Sequence, residues 1–427
     1  MADQNQGKMG LWAIVAIGIG GMVGGGIFAV LGLAVQLAGG GTPAAFLIAG
    51  IVALLTAYSY ARLSVHVPSQ GGTVKFLDQA FGVDLFTGGI NSLLWISYIV
   101  MLALYSYAFG SYGATFFGKS VPVKHLLISA GILIPAVLNL FSANLVGKAE
   151  TYIVAIKLAI LLFFVAVGFA GIDAGRLAPV HWTPPLHLVA GGMIIFLAYE
   201  GFELIANTAQ DARDVKKTLP RAFYIAVGFV ILLYILVAVV SVGSLPVDKI
   251  VEAKDYALAA AARPFLGHAG FVMIAIAAVL STFSAINATL YGSARLSYTI
   301  AKEGELPEFL EDRVWNKPIE GLIITTVLSL LLANIGDLSS ISMMGSAGFL
   351  IIFGAVNAAN VKLAGTTKSR KWISATGVAA CAVALAALIW QAATTSPAHL
   401  WVLAGMLALS FGIELGYRQY RRHEIRI

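Results

Sequence analysis

Twelve apolar runs, each near the roughly 20 residues a helix needs to cross the hydrocarbon of a bilayer, follow one another along the 427-residue chain. They cover about 11–38, 43–64, 86–117, 125–142, 149–171, 188–209, 221–245, 268–300, 321–336, 339–361, 372–391 and 397–417, and the ninth is short. No stretch between them is long enough for a soluble domain. Charged residues make up 11% of the chain, about half of what a soluble domain carries, and 59% is hydrophobic. The class is therefore an all-α polytopic membrane protein with 12 transmembrane helices. The first run is too long for a cleavable signal and is read as a span. Cys381, the single cysteine, can form no intramolecular disulfide and is read as a packing residue.

The net charge of +6 would suggest nucleic acid in a soluble protein; here it reports topology, and no nucleic-acid partner is expected. Twenty of the 27 Lys and Arg residues fall in the N-tail, the even-numbered loops and the C-tail, among them Lys8, Arg62, Lys148, Arg213, Lys317, Arg370 and Arg426. Six fall in the odd-numbered loops: Lys119, Lys124, Arg176, Lys249, Lys254 and Arg263. Basic loops stay on the cytoplasmic side, which predicts a multi-pass protein of the cell's inner (plasma) membrane with both termini cytoplasmic. The mixed segment 245–267 predicts a short helix on the outer face.

The first run carries glycines at 18, 20, 21, 24, 25 and 26 in "GIGGMVGGGIF", although glycine weakens a helix by about 1 kcal/mol per interior position. Two readings compete. Gly20-xxx-Gly24 and Gly21-xxx-Gly25 fit close helix packing. Three glycines in succession point in three directions, and packing on one face does not account for them. An unwound segment does, provided it lines a protein-enclosed cavity where its amides find partners. Gly18-x-Gly20 is not a dinucleotide fingerprint, because Val23 stands at its third glycine position and no strand precedes it.

The sixth run, "GGMIIFLAYEGFELIANTAQDARD", places Glu200 and Glu203 around Gly201 deep in apolar sequence. A charge at the bilayer centre costs about 3 kcal/mol on insertion scales, so each carboxyl needs a cavity, a proton or a partner. Either one bonds a neighbouring helix in its protonated form, or the pair belongs to a site. Interrupted first and sixth spans fit two inverted five-helix repeats, residues 11–171 and 188–361, with substrate between them at the midplane. Residues 372–417 then form two additional helices, flanked by tails at 1–10 and 418–427.

Lys157 is the one Lys or Arg outside the loops and tails. It lies about 14 Å beyond Lys148 at 1.5 Å per helical residue. Snorkelling to the surface strains a side chain at that depth. Burial disfavours the ammonium form, which suits an amine that exchanges protons near neutral pH.

These stretches resemble the amino acid–polyamine–organocation transporter family. "GGMVGGGIF" is similar to its Gly-Ser/Ala-Gly-Ile-Phe signature, and "VPSQGGTVKFLDQAFG" (67–82) to its Pro-x-x-Gly-Gly loop. "FLAYEGFELIANTAQDARDVKKTLPRA" (196–222) and "STFSAINATLYGSARLSYTIAKEGELP" (281–307) resemble its sixth and eighth spans. The resemblance runs from about residue 10 to 330. It implies a five-plus-five inverted-repeat fold with discontinuous first and sixth helices, and an L-amino acid as substrate. The substrate carboxylate would sit on amides of Gly24, Gly25, Gly26 and Ile27, as half-helix N-termini suit an anion. Its ammonium would meet carbonyls near Met22, Leu197, Ala198 and Glu200. Lys157 would approach carbonyls around Gly20 and the hydroxyls of Ser281 or Ser284. Tyr199 and Phe202 would form the outer gate, and Trp95, Tyr98, Leu102, Phe283 and Asn287 would shape the side-chain pocket. Departures are Thr73, Val74 and Phe76, which leave one aromatic in place of two tyrosines; Ala209-Gln210-Asp211, where Ala-Glu-Glu is usual; and Gly25, where a serine hydroxyl is common. Glu200 could pair with the substrate ammonium, favour cationic side chains or carry a proton.

The expectation is a proton-coupled symporter of L-amino acids working by alternating access, with an amino-acid or polyamine exchanger on the same fold as the alternative. No cofactor is expected beyond the coupling proton, and no metal. The seven histidines lie in loops or at span ends without metal-ligand spacing, and no nucleophile–base pair points to an enzyme. The lipid bilayer is the other expected partner, and the sequence says nothing of oligomeric state.

Overall fold

The computed structural model describes residues 9–118, 120–141, 144–311 and 318–424, with backbone alone for 141, 144–151, 308, 311 and 420–424. Lys8 and the rest of the expected N-tail to residue 8, with Lys119, Arg313, Lys317 and Arg426, lie outside the described residues. So do the side chains of Lys148, Arg421 and Arg422.

The first run is two helices, α1 (Leu11–Met22) and α2 (Gly26–Ala38). Then come α3 (Thr42–His66), α4 (Gly72–Phe81), α5 (Leu85–Ala114), α6 (Val121–Phe141) and α7 (Asn144–Gly168). The sixth run is again divided, into α8 (Pro185–Ile194) and a 3-10 segment (Phe196–Thr208). It is followed by α9 (Val215–Ser244), α10 (Val247–Glu252), α11 (Ala257–Lys302), α12 (Ile319–Ile335), α13 (Leu338–Lys362), α14 (Ala364–Thr367), α15 (Lys371–Thr395) and α16 (Ala398–Glu424). Among the described residues nine helices are long and apolar enough to cross a membrane, and eleven spans result if each bent pair is one. The short ninth run is α12, whose 17 residues reach about 25 Å, just under the hydrocarbon thickness. The chain is an all-helical polytopic membrane protein.

Local chemistry explains several boundaries. Asp84 accepts from the amides of Phe86 and Thr87 while Thr87 accepts from the Asp84 amide, a capping box that starts α5. The helix expected in 245–267 is present as α10, a 3-10 turn and the start of α11. Gly267 (φ +64°) then turns the chain, a conformation that favours glycine. The loop expected at 67–82 contains α4, whose apolar residues Val74, Phe76, Leu77 and Ala80 form a buried face.

The third span, α5, is the centre of the bundle: 89% of its most apolar window is buried inside the protein, against 22% for α16. It packs against α6, α11, α12, α13 and α16, while α1 packs against the 3-10 segment and α9. The two interrupted spans therefore lie side by side, with α5 running past both.

Candidate functional site at the two interrupted spans

The first interruption is where the glycines predicted it. The axes of α1 and α2 meet at 47°, and no side chain caps the N-terminus of α2, whose first-turn amides have no intrahelical acceptor. The glycines here allow close approach, since none of residues 20–26 has positive φ. A Cβ on Gly26 would lie 2.8 Å from the Ala198 Cα, and one on Gly201 would lie 2.3 Å from the Gly21 carbonyl carbon. The two competing glycine readings thus both hold. The helix is interrupted, and its backbone presses directly on the sixth span.

The second interruption departs from expectation. The bend of 44° falls at Ile195 and not around Gly201, and residues 196–208 continue as a 3-10 helix of 13 residues. Such helices seldom exceed three or four residues. Ser346 of α13 holds the bend: its hydroxyl donates to the Ile194 carbonyl (3.0 Å) and accepts from the Leu197 amide (3.2 Å). Tyr234 of α9 ties the two interruptions together, its hydroxyl lying 2.6 Å from the Met22 carbonyl and 3.3 Å from that of Ala198. Two of the carbonyls expected to meet a substrate ammonium are therefore already engaged by a tyrosine. On the other side, Ser281 of α11 donates to the Val23 carbonyl at 3.0 Å and also contacts that of Gly24.

Three tyrosines of α5, at seven-residue spacing and hence on one face, reach across to the interrupted spans. Tyr112 donates to the Phe28 carbonyl (3.1 Å), Tyr105 to Glu200 Oε1 (3.2 Å), and Tyr98 to Glu203 Oε1 in a very short bond. Glu203 Oε2 lies 3.3 Å from the hydroxyls of both Tyr60 and Thr73, which share a bond of 2.7 Å, so that one of the pair donates to the other and the pair serves this oxygen together. Glu200 Oε2, in contrast, is buried and has no hydrogen-bond partner among the described residues. The Tyr105 ring covers Gly25, whose added Cβ would lie 2.3 Å from ring carbon Cδ1, so Glu200 is held beside the interruption of the first span.

Lys157 of α7 is 2% exposed, and its Nζ donates to the Gly20 carbonyl at 3.0 Å. Its ammonium thus lies against the last turn of α1 and not at a lipid headgroup. Ser281 and Ser284 are both buried on α11. The remaining expected residues scatter. Asn287 accepts from Asn139 of α6 (2.9 Å), Phe283 packs on Phe109 with ring centroids 6.0 Å apart, and the Trp95 indole donates to Thr325 (3.1 Å). Leu102 is fully buried.

The two aromatics expected at a gate are both packed against neighbouring spans. Tyr199 donates to the Phe46 carbonyl (2.9 Å), and Phe202 packs among Tyr60, Phe223 and Phe353. Met9 pairs with Ala212, so the N-terminal end lies beyond the far end of the 3-10 segment. Phe202 sits between the bend and that end, on the N-terminal side of the membrane.

Tyr60, Tyr105, Tyr234 and Ser346 were not singled out by the sequence. The spacing 98, 105, 112 was the available signal for the tyrosine row; nothing local marks Tyr234 or Ser346. Among the described residues no group of three or more His, Cys, Asp or Glu side chains is arranged to hold a metal.

Known proteins are similar to this chain in sequence. The chain matches the amino acid permease family over residues 9–411. It is 37% identical to the protein MJ0609 of Methanocaldococcus jannaschii, over 81% of this chain and 80% of that one. It is 34% identical to the inner membrane transport protein YbaT of Escherichia coli, over 93% and 94%. More distant is the chloroplastic cationic amino acid transporter 7 of Arabidopsis thaliana, 25% identical over 96% and 75%.

Proposed function

This chain belongs to the amino acid permease family, a family of transporters and not of enzymes, and on that premise we propose that it is a proton-coupled symporter of L-amino acids. In this reading it has twelve spans with both termini cytoplasmic, divided into five-helix repeats at 11–171 and 188–361 and a final pair at 372–417. Support comes from the two interrupted spans standing first in each repeat and lying backbone to backbone.

The substrate carboxylate binds the uncapped amides at the start of α2, from Gly24 to Ile27, where the helix dipole favours an anion. Its ammonium lies toward the carbonyls of Met22, Leu197 and Ala198 and the free oxygen of Glu200. Lys157 loads a proton from outside, holds the Gly20 carbonyl as an ammonium, and releases that hold when it deprotonates toward the cytoplasm. The first and sixth spans, joined by Tyr234, then tilt together.

The observation that carries the coupling is the Lys157–Gly20 bond of 3.0 Å at a buried amine. Its test is uptake by proteoliposomes under an imposed pH gradient. Lys157→Ala is expected to abolish pH-driven accumulation while retaining counterflow. Accumulation at the wild-type level would sink the coupling.

A further inference from the structure

A second group of buried acids lies away from the interrupted spans, at the N-terminal side of the membrane. Asn91, near the start of α5, offers its two N–H donors to two carboxylates. It donates to Glu305 Oε2 at 2.6 Å, in the turn after α11, and to Asp78 Oδ1 at 3.3 Å, on α4. Among the described residues, the second oxygen of each acid, Asp78 Oδ2 and Glu305 Oε1, is buried without a hydrogen-bond partner, and so is Asn91 Oδ1. Asn91 and Glu305 are both fully buried. Glu414 of α16 adds a further orphaned oxygen, Oε2, while its other oxygen bonds Arg418.

These are acceptors short of donors. Buried polar atoms are nearly always paired, and each proton placed on a carboxyl supplies one donor and removes one negative charge. A metal would serve the same purpose, but the described residues bring no group of three metal-ligating side chains together.

Other charged groups face the site. Lys75 of α4 is paired with Glu303; its charge favours the Asp78 carboxylate, and Glu303 works against it. Glu414 and Arg418 come from α16, Asp84 from the start of α5, and Lys362 of α13 lies 5.1 Å above the Phe81 ring. Among the described residues acids therefore outnumber bases here. Burial first, and then the neighbouring Glu305 carboxylate, push Asp78 up to about 7. Burial first, with Glu414 adding to it against the Asn91 bond, does the same for Glu305, also to about 7.

We propose that Asp78, Asn91 and Glu305 form a proton-binding latch that fastens α4 to α5 and to the turn after α11. The same helix carries Thr73, which bonds Glu203, and Gly72, whose added Cβ would lie 2.3 Å from Asn207 of the 3-10 segment. The state of the latch therefore bears on the inner half of the sixth span. Proton occupancy holds α4 in place; loss of the proton leaves adjacent carboxylates that repel and seek water. That the proton comes from the cytoplasm rests on the topology proposed above, whereas the latch itself does not.

The sign follows from linkage. With carboxyls raised in the latched form and ordinary near 4 when released, latching is strongest at low pH and weakens as pH rises from about 4 to about 7. Hydrogen exchange of the full-length protein in nanodiscs, with no substrate and no gradient, reads this directly. In wild type, protection of residues 70–82, corrected for intrinsic rates, is expected to fall on the order of tenfold between pH 5.5 and pH 8. Asp78→Asn and Glu305→Gln, each monodisperse by size exclusion, are expected to flatten that response, and Lys157→Ala to keep it. Equal wild-type protection at the two pH values overturns the latch, whatever the variants do. So does a full response in both carboxyl variants. A Lys157→Ala protein with intact coupling but an intact latch response would count against the transport proposal alone.

Discussion

Glu200 and Glu203 sit one turn apart on the same 3-10 segment, are both buried, and are treated oppositely by their surroundings. Both oxygens of Glu203 are engaged, Oε1 by Tyr98 and Oε2 by the hydroxyls of Tyr60 and Thr73, which also share a hydrogen bond of 2.7 Å with each other. Glu200 receives one donor, from Tyr105, and keeps an orphaned oxygen beside the interruption of the first span. Saturation marks a group that holds the protein together. A buried carboxyl left half-partnered costs stability, and such a cost is commonly carried where a ligand or a proton is to be received. Sequence position alone makes the two look equivalent; their donors separate them.

The comparison can be broken most directly at Glu203. Glu203→Ala removes the acceptor of Tyr98 and leaves the Tyr60 and Thr73 hydroxyls with only each other, and should lower stability by about 2 kcal/mol or more, read as a large drop in melting temperature. Glu200→Ala, losing one donor contact and one unpartnered oxygen, should cost about 1 kcal/mol or less. Equal losses in the two variants would erase the distinction. Sharpening it further, Tyr98→Phe and Tyr105→Phe should each cost about 1 kcal/mol by the same melting measurement, because each strips one buried carboxyl oxygen of its tyrosine donor, which leaves the contrast between the two acids to Tyr60 and Thr73. Smallest in stability is Glu200→Gln, which should leave the melting temperature nearly unchanged. It should nonetheless alter which of the twenty amino acids raise that temperature, or the pH at which they do. An unaltered panel removes Glu200 from the site.

The same contrast explains what could be read from the sequence. The first interruption was legible because glycine has a physical signature, the missing Cβ, and three in a row admit few explanations. Lys157 was legible because a charge nine residues into an apolar run has few places to go. The second bend was legible as a disturbance but misplaced by six residues, since Ile195 is an ordinary apolar residue and the bend is imposed from α13 by Ser346. A change from α to 3-10 winding leaves no periodic mark in a segment apolar on most sides. The tyrosines were counted as hydrophobic bulk, although their spacing on α5 placed three hydroxyls in line. Least legible was the acid group around Asn91: Asn91 and Glu305 meet across 214 positions of chain, and neither stands in a local pattern that names the other.

The 3-10 segment has one more consequence. Its 13 residues at about 2.0 Å each span about 26 Å, whereas α winding would need only about 20 Å. The sixth span therefore contains roughly 6 Å of stored length. Rewinding even part of it would draw Glu200 and Glu203 along the membrane normal and swivel them to different neighbours, with no hinge required.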